Sequence, residues 1–279
     1  MECWVPVPSV ADVRESAGCT GALPSARYPS DHVALVAEFS AAPGKVGRAT
    51  AAAGERRPTM PLPASRFNVG KAAAAVRAGG VLALPTDTIY GVAAAAESSV
   101  GVRRLYALKG RDQAVPLALC VADAADVGRY GEAAHLPEGL LAALLPGPFT
   151  VILRQRADAA AAPVAPEINA AMAVKTVGLR VPDCAFIRAV CRAAGTALAL
   201  TSANRSGAPS TVDVWEFRGL WDECDHVFQR LDGPLERGRA GSTILDLSEP
   251  GTFRVVRPGS ALAPALAAMA EFGLARREP

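Results

Sequence analysis

From residue 67 onward, short continuous apolar runs alternate with stretches of helical spacing, and this alternation constrains the chain more than any other feature. Val81-Leu82-Ala83-Leu84, Leu117 to Val121, Phe149-Thr150-Val151-Ile152-Leu153, Val177-Gly178-Leu179-Arg180-Val181 and Thr196 to Leu200 are of strand length. They show too little apolar/polar alternation for a sheet with one face in water. Between them, Val69 to Ala78, Val100 to Leu108, a segment opened by Pro137 and closed by Pro146-Gly147-Pro148, and a segment from Asp183 read as helices. Gly79-Gly80 and Gly110 are helix stops, and Asp123 suits the N-cap of a short helix. The last third adds a helix at Val212 to Leu220, strands at Val227, Thr243 to Leu247 and Phe253 to Val256, and an alanine-rich helix from Leu262. Several late strands lack intervening helices, so the expected fold is α/β: one domain with a twisted, mixed β-sheet flanked by helices.

The expected domain is 66–273, followed by a tail at 274–279. Residues 1–65 hold turn formers, scattered charges and a single apolar alternation, Val33 to Ala37, followed by a Pro/Gly/Ala/Arg stretch that cannot build a core. They read as a largely disordered extension. Composition rules out other classes. With 51% hydrophobic and 20% charged residues the chain is neither disordered nor collagen-like, and a net charge of +2 points to no polyanionic partner. The basic residues are nearly all Arg; only Lys45, Lys71, Lys109 and Lys175 are lysine, which makes each lysine informative.

Cys3, Cys19, Cys120, Cys184, Cys191 and Cys224 form no C-x-x-C pair, so neither a zinc site nor a disulfide framework is expected. No apolar run reaches the roughly 18 residues of a membrane-spanning helix, and Met1-Glu2-Cys3-Trp4 lacks the layout of a secretory signal. A cytoplasmic chain follows. The Ala- and Arg-rich segment Lys45 to Arg66 adds the expectation of a mitochondrial pool.

Three polar loops follow apolar strands or helices: Pro85-Thr86-Asp87-Thr88-Ile89-Tyr90-Gly91, Lys109-Gly110-Arg111 and Thr201-Ser202-Ala203-Asn204. Each has a bland explanation as a capped turn or a basic helix end. Ligands in α/β sheets nevertheless bind beyond strand ends, so the three together mark a candidate site.

With Lys175-Thr176-Val177-Gly178-Leu179-Arg180-Val181-Pro182, Gly241-Ser242-Thr243-Ile244-Leu245-Asp246-Leu247 and Val256-Arg257-Pro258-Gly259, these segments make six ordered motifs between Phe67 and Ala270. In that order the chain resembles the YrdC-like family of threonylcarbamoyl-adenylate synthases. The resemblance implies a YrdC-like domain with a basic concave active-site cavity. It also implies synthesis of L-threonylcarbamoyladenylate and pyrophosphate from L-threonine, bicarbonate or CO2, and ATP, the first step of N6-threonylcarbamoyladenosine formation in tRNA. Mg2+ would accompany the ATP, and a KEOPS-type transferase complex and tRNA would act downstream.

The same resemblance assigns roles. Lys109 and Arg111 would be catalytic, neutralising charge on the phosphates. Thr88, Cys120, Arg180, Ser202 and Ser242 would face threonine, with Arg180 offering a bidentate guanidinium to its carboxylate. Arg111, Thr176, Asn204 and Arg257 would face ATP. No histidine is called for, and His135 and His226 read as surface or strand-edge residues. One departure from the family pattern is Val115, which stands where relatives commonly carry a basic residue.

A second resemblance covers Pro24 to Phe39, which looks like the last loop and strand of endonuclease/exonuclease/phosphatase-type phosphodiesterases. One strand cannot rebuild that enzyme, so His32 receives no catalytic role. Two other readings compete with the synthase. A double-stranded RNA or tRNA-binding module would use the same basic crevice for phosphate contacts. Carbamoyl transfer in hydrogenase maturation would call for cysteine-pair zinc motifs, which the sequence lacks.

Overall fold

The computed structural model describes residues 60–110, 117–156, 163–170, 175–235 and 238–278. Eleven strands in these residues form one sheet. They are β1 (Leu62–Pro63), β2 (Leu82–Pro85), β3 (Tyr90–Ala95), β4 (Ala118–Cys120), β5 (Phe149–Arg154), β6 (Thr176–Arg180), β7 (Leu198–Ser202), β8 (His226–Gln229), β9 (Thr243–Asp246), β10 (Thr252–Arg257) and β11 (Ala275–Arg276). Their order across the sheet is β1-β8-β2-β3-β7-β4-β6-β5-β9-β10-β11. Parallel pairs such as β4·β6 and β5·β9 occur beside antiparallel ones such as β2·β3, β3·β7 and β5·β6, so the sheet is mixed as expected.

The continuous apolar runs are explained by two separate cores. Along β2 and β3, Ala83, Tyr90, Val92 and Ala94 point into one core, while Leu82, Leu84, Ala93 and Ala95 point into the other. Successive side chains of a strand alternate faces, so a strand covered on both sides is apolar throughout. The larger core is closed by α2 (Ser99–Lys109), α3 (Val127–Tyr130), α4 (Leu140–Leu144), the irregular 3-10 segment Val214–Glu223 and the helix Leu262–Glu271. The smaller is closed by α1 (Val69–Arg77) and the helix Ala185–Ala194, which present Ala72, Val76, Phe186, Ile187 and Val190. With Pro166–Ala170 as α5, these last two helices in chain order are α6 (Ala185–Ala194) and α7 (Leu262–Glu271).

Several expectations need correction. The sequence reading assigns no element to Val92–Ala95, yet this stretch is β3, central in the sheet. Its alanines have helix propensity, but they face both cores at zero to 2% exposure, and burial between neighbours overrides propensity. Leu62 and Pro63 fall within the stretch read as a disordered extension; they pair in parallel with Phe228 and Gln229. In the stretch read as a tail, Leu274 is buried, and Ala275 and Arg276 pair with Thr252 and Phe253. Two-residue edge strands are too short to leave a periodic pattern. The expected strand from Thr196 runs later, from Leu198 to Ser202, and the helix at Val212 is a 3-10 segment with a break at Phe217. His32 and the Val33 to Phe39 run lie outside the described residues.

No helix among the described residues is long and apolar enough to cross a membrane.

Candidate active site

The smaller core does not extend across the whole sheet. Under β2, β3 and β7 its face is apolar, but on β6 the same face carries Thr176, Gly178 and Arg180, because residues two apart share a face. Arg180 pairs with Cys120 across β4·β6, and Gly178 with Ile152 across β5·β6. A Cβ on Gly178 would stand 3.4 Å from Thr150 Cγ2 and 4.0 Å from Ala118 Cα. Glycine and alanine therefore leave a low floor, ringed by the polar side chains of β5, β6 and the loops around them.

The first group of residues gathers at Arg180, itself buried. Its Nη2 donates to Asp87 Oδ1 at 2.7 Å and to Thr88 Oγ1 at 3.3 Å. The other oxygen of Asp87 accepts the backbone N–H of Asp183 at 3.1 Å. Arg180 Nε is buried and has no hydrogen-bond partner. The turn that brings Asp87 and Thr88 here is locked by Thr86, whose hydroxyl donates to Ile89 O at 2.6 Å and accepts the backbone N–H groups of Thr88 and Ile89. This is a side-chain-stabilised turn, built by the short hydroxyl residue the sequence places there.

Ser242 and Arg257 complete this group. Ser242 Oγ is 2.8 Å from Thr150 Oγ1. Arg257 Nη2 donates to Ser242 O at 2.9 Å and lies 3.5 Å from its hydroxyl. Arg257 is exposed as a residue, but its guanidinium packs at Ser242; burial of that group, and then the charge of Arg180, lower its pKa. Two guanidinium groups close enough to oppose each other's charge favour a nearby anion. Gly259 makes the arrangement feasible, since a Cβ there would lie 2.4 Å from Gly241 O, Ser242 C and Thr243 N.

The second group surrounds Lys109. Its Nζ donates to Ser202 O at 2.7 Å, Ser202 Oγ at 3.3 Å and Asn204 Oδ1 at 3.1 Å, and also to Asn204 O. At 4% exposure, this ammonium is an anchor of the Ser202–Asn204 loop. Gly110 ends α2 in the left-handed conformation, with φ +55°, and so directs the last turn toward that loop. Ser202 pairs with Gly91 on β3, next to the Thr86–Ile89 turn, which ties the two groups together. Register also relates Thr176 to this group. Leu179 and Ala199 both pair with Leu119, Thr176 lies three positions before Leu179, and Ser202 three positions after Ala199 on the oppositely running β7.

Of the residues singled out from sequence, Thr88, Arg180, Ser242 and Arg257 thus converge, as do Lys109, Ser202 and Asn204. Thr176 shares the floor at half-buried depth. Cys120 is fully buried beside Arg180 with its thiol 3.9 Å from that of Cys191. Burial and Cys191 raise its pKa well above the ordinary value, so it is a neutral wall residue. Arg111 and Val115 lie outside the described residues. His135 contacts Leu247 O through Nε2, and His226 stacks edgewise on Phe228; neither belongs to the site.

Sequence reasoning missed Asp87 and Thr150. Asp87 lies inside a motif already suspect, whereas Thr150 is hidden as one hydroxyl in an apolar strand. A cavity of about 260 Å3 lined by Asp123, Arg129, Tyr130, Arg192 and Thr196 contains none of the predicted residues.

Comparison with known proteins identifies relatives of this chain and solved structures of the same fold. A protein of Homo sapiens named threonylcarbamoyl-AMP synthase is 45% identical over 196 residues, covering 68% of this chain and 67% of that protein. The Bos taurus protein of that name is 42% identical over 210 residues, covering 73% and 72%. The crystal structure of P. abyssi Sua5 complexed with L-threonine shares the fold, with a TM-score of 0.65 at 24% identity over 76% of this chain and 60% of that one. E. coli YciO does so with a TM-score of 0.58 at 23% identity, over 72% and 92%. Residues 74–259, more than half of the sequence and spanning every residue of the cation-lined floor, match the Sua5/YciO/YrdC family, described as "Telomere recombination", and the chain belongs to that family.

Proposed function

We propose that this chain makes L-threonylcarbamoyladenylate and pyrophosphate from L-threonine, bicarbonate or CO2, and ATP. The adenylate would pass to a KEOPS-type transferase complex for tRNA modification. A cytoplasmic location with a mitochondrial pool belongs to the same proposal. The observation that carries the reading is Arg180. It is buried, held at one terminal nitrogen by Asp87 and Thr88, and has a buried, unpartnered Nε–H. A guanidinium held in a fixed orientation fits the planar carboxylate of an amino acid. Thr88 and Ser242 are then at hand for the hydroxyl and amine of threonine, and Cys120 would contribute to the site only through the packing beside Arg180.

ATP would be held from the other side. Attack of a carbamate oxygen on the α-phosphorus forms the new P–O bond and expels pyrophosphate, and this transfer gains most from positioning and cationic neutralisation. Arg257 and Arg111 would supply the charge, with Asn204 and Thr176 as polar contacts. Lys109 would act through the Ser202–Asn204 loop it anchors. Among the described residues no group of three or more His, Cys, Asp or Glu side chains could hold a metal ion, so the proposal has Mg2+ enter on the nucleotide phosphates.

The test is incubation of the protein with threonine, bicarbonate and ATP, reading pyrophosphate and a threonylcarbamoyl-adenylate peak by mass spectrometry. Pyrophosphate that requires all three substrates supports the proposal. A module that only binds RNA would release none.

A further inference from the structure

The site contains a carboxylate that its proposed chemistry does not call for. Asp87 sits against the arginine meant to receive an anion, and the two side chains are 5% and 8% exposed. As an electrostatic partner it weakens the attraction of Arg180 for a second carboxylate. As a source of stability a buried ion pair is a poor device, because desolvation offsets much of its attraction. Its geometry gives it another use. One oxygen takes Arg180 Nη2 and the other takes the Asp183 N–H just past β6, while neighbouring Thr88 accepts from the same Nη2. The fork is thus pinned at a single terminal nitrogen, and Nε stays unpartnered. The contact also joins distant parts of the sheet, since β3, β7 and β4 separate β2 from β6.

We infer that Asp87 is a positioning residue for amino-acid recognition: by clamping Nη2 it fixes the orientation in which the Arg180 guanidinium meets the substrate carboxylate, without touching substrate itself. The inference rests on the threonine reading of the site. It requires that the effect of Asp87 run through Arg180 and fall on threonine rather than on ATP.

The experiment compares wild type, Asp87→Asn, Arg180→Lys and the double variant, measuring KM for threonine and for ATP in the pyrophosphate assay, with threonine binding by calorimetry in parallel. Asp87→Asn should raise the threonine KM and Kd about tenfold or more and leave the ATP KM within about twofold. On the Arg180→Lys background, where the fork is already lost, the same substitution should cost less than about twofold, the non-additivity of residues that act as a unit. Equal rises in both KM values, or a full additive cost in the double variant, would overturn the inference. If Asp87→Asn does not fold, Asp87→Glu keeps the charge but shifts the carboxylate by a methylene. A threonine KM unchanged in that variant would also overturn it. Wild type that binds threonine but releases no pyrophosphate sinks only the synthase reading, and the Kd comparison still decides the role of Asp87. Wild type that neither binds nor turns over threonine sinks both.

Discussion

The ammonium of Lys109 donates to both the carbonyl and the hydroxyl oxygen of Ser202, at 2.7 and 3.3 Å. With two further acceptors on Asn204, one cation at the end of α2 fixes the loop that follows β7. Lys109→Met is therefore expected to weaken the fold as well as the activity, because it leaves several buried oxygens without a donor. We expect a loss of about 3 kcal/mol in stability, measured by urea unfolding. An unchanged urea midpoint with lost activity would instead place Lys109 directly on the phosphates.

Arg180→Lys keeps the charge but loses the planar fork. It should raise the KM for threonine about tenfold or more while the KM for ATP stays within about twofold. Equal effects on the two substrates would assign Arg180 to the nucleotide side or to the scaffold.

Gly259→Ala tests the backbone contact behind Ser242 and Arg257. The added methyl would lie 2.4 Å from three backbone atoms of the Gly241–Thr243 segment, which cannot yield as a flexible side chain would. We expect a stability loss of about 2 kcal/mol or more, together with lower activity as Ser242 and Arg257 move apart. A thermal scan and the pyrophosphate assay measure both. Wild-type values for each would mean that the two segments are not in contact.

Asp123 provides a pH test away from the site. Hydrogen bonds from Arg192 and then Arg188 lower its pKa from 3.8 to about 2. A carboxylate whose folded pKa lies below its unfolded one stabilises the fold above the unfolded value, and the contribution is lost as the pH falls through the folded value. The group is exposed, so screening keeps the effect small. Asp123→Asn should lower Tm at pH 7 by no more than about 2 °C, and less at high salt. The gap between variant and wild type should narrow between pH 4 and pH 2. A gap that widens there would contradict the ion-pair assignment.

Much of the fold is legible in the sequence because strands such as Val81 to Leu84 are apolar on both faces, and because glycine closes α2 at Gly110. The two edge strands and β3 escape for different reasons. Leu62–Pro63 and Ala275–Arg276 are too short for any period, and Tyr90–Ala95 is a strand only because neighbours bury its alanines. Within the site, the hydroxyls and cations stand out as polar residues at the ends of apolar runs. Thr150 does not, since its hydroxyl acquires meaning only from Ser242, 92 positions away.

What the sequence alone determines here is local: which segments become strands and helices, where they stop, and which loops carry charge. These follow from side-chain period, capping and backbone freedom, each a property of a few consecutive residues. The tertiary structure decides which of these segments become neighbours. Strand order and register bring Arg180 to Asp87 across 93 positions of sequence, and the crossing of Gly259 over Gly241 sets Arg257 beside Ser242. Turning Lys109 from a free cation into a loop anchor is the same kind of decision, because a charged group's role depends on which acceptors packing places around it.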